Sequence, residues 1–194
     1  KTAFGLRDWC REDVLGEWSH PGAKVTLDLP RLSPAEAARQ GAGSIIVGVA
    51  PTGGVLPGHW QADLEAALAV GLDVVSGLHT RLTSLPRLVR AAEKSGMRLV
   101  DVRNPAGAFP VGSGRKRSGR RVLTVGTDCN VGKMTAQLQL VKQLRERGQR
   151  TTFVATGQTG IMIEGWGISV DAVVSDFTGG AAEQLVLQGS KDAD

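Results

Sequence analysis

The sequence predicts an α/β protein: a Rossmann-like parallel sheet, followed by a P-loop-type parallel α/β domain that is incomplete at its C-terminus. Three observations carry this reading. Short apolar runs alternate with stretches of helical period between residues 44 and 102. Gly71, Gly96 and Gly148 each stand where a helical pattern stops, the place a left-handed cap residue is needed. A glycine-rich segment, Gly126 to Lys133, follows an apolar run and opens a helical pattern, the context of a phosphate-binding loop.

Residues 1–43 show no sustained period, with Trp9, Trp18, Pro21 and Pro30 scattered through them. Ser33 and Pro34 read as the N-cap and first residue of a helix. Ser44–Val49 is a wholly apolar strand of the kind covered on both faces. Trp60, Leu64, Ala67 and Leu68 keep helical spacing up to Gly71, and Leu72–Ser76 is the next strand. Leu85, Leu88, Val89 and Ala92 mark a second helix closed by Gly96, and Met97–Val102 is a third strand. Asn104–Gly107 and the basic run Arg115, Lys116, Arg117, Arg120 and Arg121 then break the pattern. The expected organisation is a domain over 1–110, a basic Gly/Ser linker over 111–120 and a second domain over 121–194. In the second domain, strands are expected at Arg121–Val125, Thr151–Ala155 and Asp171–Ser175. Helices are expected at Gly132–Arg147 and near 179–188. Three strands are few for a nucleotide-binding sheet. With Lys1 at the start and an abrupt Gly189–Asp194 at the end, they imply part of a longer protein.

Composition narrows the class without choosing a function. The chain has 194 residues, 41% hydrophobic and 22% charged, as in a folded globular protein. No apolar run reaches the ~20 residues of a membrane span. Aromatics are 4% with no Tyr, which speaks against a base-stacking platform and so against a nucleic-acid partner. Two cysteines, Cys10 and Cys129, cannot build a disulfide scaffold, so a cytoplasmic setting is expected. The net charge of +4 suits anionic ligands. There is no zinc-type Cys/His clustering and no G-x-G-x-x-G, so neither a metal centre nor a nicotinamide dehydrogenase is expected.

The chemistry concentrates in Gly126-Thr127-Asp128-Cys129-Asn130-Val131-Gly132-Lys133-Met134-Thr135. Backbone N–H groups of such a loop and the helix start cradle phosphate oxygens, and the lysine adds a point charge. Five residues separate Gly126 from Gly132, where the usual Walker A loop has four. Met134 stands where a Ser or Thr hydroxyl would reach Mg²⁺, and Thr135 lies about 100° further round the helix. A phosphate cradle survives these departures; Mg²⁺-dependent nucleotide hydrolysis is not expected. The plain alternative is a glycine-rich turn that binds nothing.

The longer spacing resembles the loop of dethiobiotin synthetase at Gly126-Thr127-Asp128 and Val131-Gly132-Lys133, and departs from it at Met134. A fuller resemblance runs through Ile46–Ala50, Val75–His79, Val122–Cys129, Val131–Met134, Ala155–Gly160 and Val170–Phe177. Taken in order, these segments resemble the D-glutamate N-acetyltransferase family, whose members have a Rossmann-like N-terminal part and a P-loop C-terminal part and extend beyond this chain at both ends. The resemblance implies transfer of an acetyl group from acetyl-CoA to the amine of a small amino-acid substrate, D-glutamate. Coenzyme A carries a 3′-phosphate and a pyrophosphate, to which the 126–135 loop is suited, with the basic run as a further source of charge or as a solvated linker. A homo-oligomer is expected. The alternatives are an ATP-dependent ligase or kinase resembling dethiobiotin synthetase, and a regulator that binds without turnover.

In open parallel sheets, ligands bind beyond the carboxyl ends of the strands, and the remaining candidates lie at such ends. His79 is a base or substrate contact, or a satisfied structural histidine. Asp128 is a proton acceptor, or an Asx-type residue shaping its loop. Arg81 and Arg103 are cations for a dicarboxylate, although Arg103 has Asp101 as a possible surface partner. Gln158 and Thr159 are donors to an oxyanion or phosphate, or form a turn. Cys129 is a further nucleophile candidate at a helix start, with no partnered base in the sequence.

Overall fold

The computed structural model describes residues 1–105 and 107–191. Ala106, in the break after Asn104, and residues 192–194 of the C-terminal stretch lie outside the described residues. The chain divides into two compact units, Lys1–Asn104 and Pro105–Asp194.

In the first unit, α1 (Thr2–Trp9) and α2 (Pro34–Arg39) precede β1 (Ser44–Ile46), α3 (Trp60–Ala69), β2 (Asp73–Ser76), α4 (Pro86–Ser95) and β3 (Leu99–Asp101). Helix α1 buries only Leu6, so it leaves too weak a period to be read from sequence. Helix α2 starts as expected: Ser33 and Glu36 form a reciprocal capping box and Pro34 opens the first turn. The sheet is parallel, in the order β1-β2-β3. Ile45, Val74 and Leu99 stand at one register level; Val74 is fully buried in the core formed with α3 and α4, and Ile45 and Leu99 are half-buried against it. Leu64, Leu68, Leu82 and Leu88 complete that core at 4% exposure or less. Each such side chain contributes about 1.5–3 kcal/mol relative to full exposure. Gly96, at φ 72°, caps α4, while Arg87, Arg90, Glu93 and Lys94 stay exposed. The strands are shorter than the apolar runs, although backbone pairing runs one residue past β1 and β3: the Val47 N–H donates to the Val75 carbonyl and the Val102 N–H to the Ser76 carbonyl, both at 2.9 Å.

The second unit holds α5 (Lys133–Glu146), α6 (Gln158–Glu164) and α7 (Thr178–Gly189), packed about Leu138, Val141, Phe153, Ala155, Ala181 and Leu185. The three strands expected here do not form among the described residues, which corrects the sequence reading. Arg121–Val125 makes no backbone–backbone hydrogen bond among the described residues. Within Thr151–Ala155, only the Ala155 carbonyl is engaged by backbone, accepting from the Ile168 N–H at 3.1 Å. The span expected as Asp171–Ser175 is split between two short 3₁₀ turns, Val170–Ala172 and Ser175–Phe177. A strand exists only with a neighbour to bond, so local propensity alone cannot make one. Helix α6, by contrast, forms where the sequence suggests a turn. Gly160 lies inside it because a Cβ there would meet the Phe153 ring at 3.1 Å and Ala155 at 3.2 Å. No helix among the described residues is long and apolar enough to cross a membrane, and neither Cys10 nor Cys129 is in a disulfide.

Candidate functional site

In the first unit the loops after the three strands are tied to one another. The His79 and Thr80 N–H groups donate to the Gly54 carbonyl at 3.0 and 3.4 Å, and the Leu56 N–H donates to Thr80 Oγ1 at 3.0 Å. Gly54 has φ 66° and lies against the imidazole, so that a Cβ there would overlap His79 Cδ2. The backbone after β1 thus seats His79, which remains exposed.

The third loop is fixed by Asp101, at the end of β3. Its carboxylate accepts from the Leu82 N–H at 2.7 Å, the Thr83 N–H at 3.1 Å and the Thr83 hydroxyl at 2.7 Å. Asp101 therefore caps the turn at 82–84. Arg103 Nε donates to the Gly77 carbonyl at 3.0 Å, and burial lowers the guanidinium from its ordinary value. Arg81 is exposed and starts the turn, with its carbonyl accepting from Ser84. His79, Arg81 and Arg103 thus share the carboxyl end of the sheet, where the topology argument put them.

In the second unit, residues 126–132 form a loop that runs directly into α5. Gly132, at φ 98°, is the residue before the helix, and Asn130 has φ 61°. Gly126 is required by close approach: a Cβ there would meet Val131 Cγ2 at 2.9 Å and the Lys133 stem at 3.3 Å. The backbone N–H groups of Asn130, Val131 and Gly132 donate to no backbone group among the described residues. The α5 start adds the unpaired N–H groups of a first helical turn. Lys133 Nζ donates to the Asp128 carbonyl, which holds the ammonium over the loop. Asp128 Oδ1 accepts from the Cys129 N–H at 2.6 Å. That bond, with lesser help from the Cys129 side chain and the Lys133 charge, holds the Asp128 carboxyl below its ordinary value. A carboxylate depressed in this way is a weaker proton acceptor, and its visible role is to shape the loop. Thr127 and Thr135 are exposed and Met134 is half-buried. The donor set is therefore amide groups and one ammonium, with no hydroxyl at position 134. This suits phosphate oxygens.

Gln158 and Thr159 open α6; Gln158 is half-buried and Thr159 is 5% exposed. The basic run is partly engaged. Arg117 donates to Glu183 of α7 at 2.6 Å, and the same carboxylate accepts from the Ser113 N–H at 2.7 Å and the Ser113 hydroxyl at 2.5 Å. These contacts, Arg117 foremost, pull the Glu183 carboxyl down to about 2. Arg121 turns back onto the carbonyls of Arg117, Ser118 and Gly119. Arg115, Lys116 and Arg120 stay exposed. The positioning roles of Gly54, Asp101 and Glu183 escaped sequence reasoning, which read Asp101 only as a surface partner for Arg103, whereas its carboxylate accepts from Leu82 and Thr83. Gly54 lies in the Thr52-Gly53-Gly54 turn after β1, which is itself a visible signal. Asp101 and Glu183 offer none, because their partners lie 18–19 and 66–70 residues away.

Comparison with known proteins places both units. Residues 17–105 match a family model described as the Rossmann-like domain DUF1611_N, of unknown function. Residues 110–194 match its companion, the P-loop domain DUF1611_C. A D-glutamate N-acetyltransferase from a Pseudoalteromonas species is 45% identical over 185 residues, 95% of this chain and 56% of that protein. One from Tritonibacter scottomollicae is 43% identical over 192 residues, 99% of this chain and 58% of that protein. A crystal structure of a DUF1611 family protein from Anabaena variabilis superposes with a TM-score of 0.78 at 40% identity, covering 89% of this chain and 50% of that one. The chain thus spans little more than half the length of these relatives. It belongs to the DUF1611 family, in which a Rossmann-like domain precedes a P-loop domain and which includes proteins named D-glutamate N-acetyltransferase.

Proposed function

We propose that this chain carries the nucleotide-handling and substrate residues of an acetyl-CoA-dependent N-acetyltransferase acting on the amine of D-glutamate. The observation that carries the reading is the pair of relatives with that name, at 45% and 43% identity over nearly all of this chain. The loop supports it: amide groups and Lys133 suit the phosphates of coenzyme A, and Met134 supplies no ligand for Mg²⁺.

In this reading Gly126–Thr135 holds the phosphates of the donor, and Gln158 and Thr159 donate to a phosphate or to the oxyanion. Arg81 and Arg103 meet the two carboxylates of the acceptor. His79 takes a proton from the substrate ammonium, freeing the nitrogen lone pair. The nitrogen attacks the thioester carbonyl, the C–N bond forms and the C–S bond breaks. The departing thiolate takes the second nitrogen proton. Asp128 shapes the loop rather than moving the proton, and the protein works as a homo-oligomer in the cytoplasm.

The test is incubation with D-glutamate and either acetyl-CoA or Mg-ATP. Free thiol released only when the amine is present is the expected result. ADP release from Mg-ATP without thiol would overturn the reading in favour of a ligase or kinase. Tight acetyl-CoA binding with no thiol release would assign the chain a binding role alone.

A further inference from the structure

We infer that His20 is a positioning residue for His79: it fastens the loop 17–32 onto the start of α3 and so braces the backbone on which the His79 ring is seated. This rests on the catalytic part given to His79 above. The loop is closed at its neck. The Glu17 N–H donates to the Pro30 carbonyl at 2.9 Å, and the Leu32 N–H to the Glu17 carbonyl at 3.0 Å. The Glu17 carboxylate accepts from the Leu27 N–H at 2.7 Å and from the Thr26 hydroxyl. Residues 21–26, at the tip, are exposed. One limb is held by the burial of Leu29 and by Arg7 Nη1, which donates to the Leu27 carbonyl at 3.5 Å. The other limb carries Trp18 and His20.

Four rings meet on that limb. The His20 ring centroid lies 5.2 Å from that of Trp18, 5.8 Å from His59 and 6.4 Å from Trp60, whose plane it meets at 25°. His20 Nε2 lies 3.3 Å from Asp63 Oδ2, a buried oxygen in the first turn of α3. Glu65, Asp73, Glu164 and Glu183 each meet an arginine, whereas Asp63 meets this histidine of the loop. A carboxylate on one side and aromatic faces around it fix the place of an imidazole. At 43% side-chain exposure, His20 adds little to the core, so its contacts serve placement more than burial. From α3 the hold passes through short links. The Trp60 and Gln61 N–H groups donate to the Pro57 and Gly58 carbonyls at 3.0 and 3.2 Å. The Leu56 N–H reaches Thr80 Oγ1, and the Gly54 carbonyl accepts from His79 and Thr80. His20 thus acts on His79 through the 54–60 backbone.

Two measurements on this chain test the fastening without turnover. The sequence has three histidines, so the ring resonances of His79 can be followed by NMR in His20→Ala and Asp63→Ala. Both variants are expected to shift them. Both should also speed exchange of the His79 and Thr80 amides roughly 10-fold, while the Val74–Ser76 amides keep their protection. Lys24→Ala, at the exposed tip of the same loop, is expected to change none of these. Unmoved His79 resonances and amides in His20→Ala overturn the proposal. Equal effects from Lys24→Ala, or a loss of protection that extends to β2, overturn it as well. Turnover then separates the fastening from the part given to His79. In His20→Ala, kcat is expected to fall roughly 10-fold at unchanged KM, the effect of a slightly misplaced proton acceptor. Shifted resonances with full kcat would support the fastening and refute the catalytic part of His79.

Discussion

Gly53 and Gly54 form a natural pair for asking whether His79 matters where it stands. Both have positive φ, 75° and 66°, so a Cβ at either position carries a backbone penalty of about 1–2 kcal/mol. Their surroundings differ. A Cβ on Gly53 meets only Val55 Cγ2 at 3.8 Å, an ordinary contact, whereas one on Gly54 occupies the space of the His79 ring. Because His79 is exposed, its ring can swing aside, so the added steric cost is small beside the backbone term. Gly53→Ala and Gly54→Ala should therefore destabilise the first unit by the same 1–2 kcal/mol. With a urea slope of about 2 kcal/mol/M this is a midpoint shift of roughly 0.5–1 M. Trp9, Trp18 and Trp60 lie in this unit and give the fluorescence signal. Activity should separate the two variants. Displacing a proton acceptor by about 1 Å costs on the order of 100-fold, so kcat should collapse in Gly54→Ala and persist in Gly53→Ala. Equal kcat in the two variants, at equal stability, would show that His79 takes no part in the reaction.

Other expectations follow from the same geometry. Lys133→Ala should weaken acetyl-CoA binding by roughly 10- to 150-fold, the worth of one charged hydrogen bond of about 1.5–3 kcal/mol, as read by calorimetry; unchanged affinity would remove the loop as the donor's anchor. Acetyl-CoA affinity should be the same in EDTA as in Mg²⁺, since position 134 offers a thioether and no hydroxyl. Glu183 is depressed to about 2 from an ordinary value of 4.5, so its grip on Ser113 and Arg117 is fully present above pH 4.5 and lost as the pH falls through about 2. Amide exchange at 113–117, corrected for its intrinsic pH dependence, should accelerate over that window, and Glu183→Gln should show the fast state already at pH 7. Leu82→Ala, at a site with 0% exposure, should cost about 2–5 kcal/mol in unfolding free energy.

The first unit was legible because its signals are local. Gly71 and Gly96 both have the positive φ that stops a helix, and Leu64 and Leu68 of α3, like Leu88 and Ala92 of α4, recur at the spacing that buries them. The capping box at Ser33 and Glu36 was half visible, through Ser33 and Pro34. The second unit was less legible because a sheet is a relation between segments distant in sequence. Val122–Val125 has the composition of a strand, yet it pairs with nothing among the described residues. Helix α6 went unseen because Gly157 and Gly160 look like turn residues, whereas Gly160 is glycine for lack of room beside Phe153. In the candidate site, the phosphate loop could be read from its spacing and its place before a helix. The hold of Asp128 on the Cys129 N–H appeared only as one of two options, and the role of Glu183 did not appear at all.

The Glu183 contacts also bear on the order in which the chain assembles. The loop at 126–132 and the helix after it are built from near neighbours, whose closure loses little chain entropy and proceeds quickly. The bond from Ser113 to Glu183 closes a span of 70 residues and requires α7 to be in place first. The basic segment is therefore fastened late in folding, after the phosphate loop beside it has its shape. A nascent chain halted before residue 183 would already possess that loop, while its arginines were still unmoored.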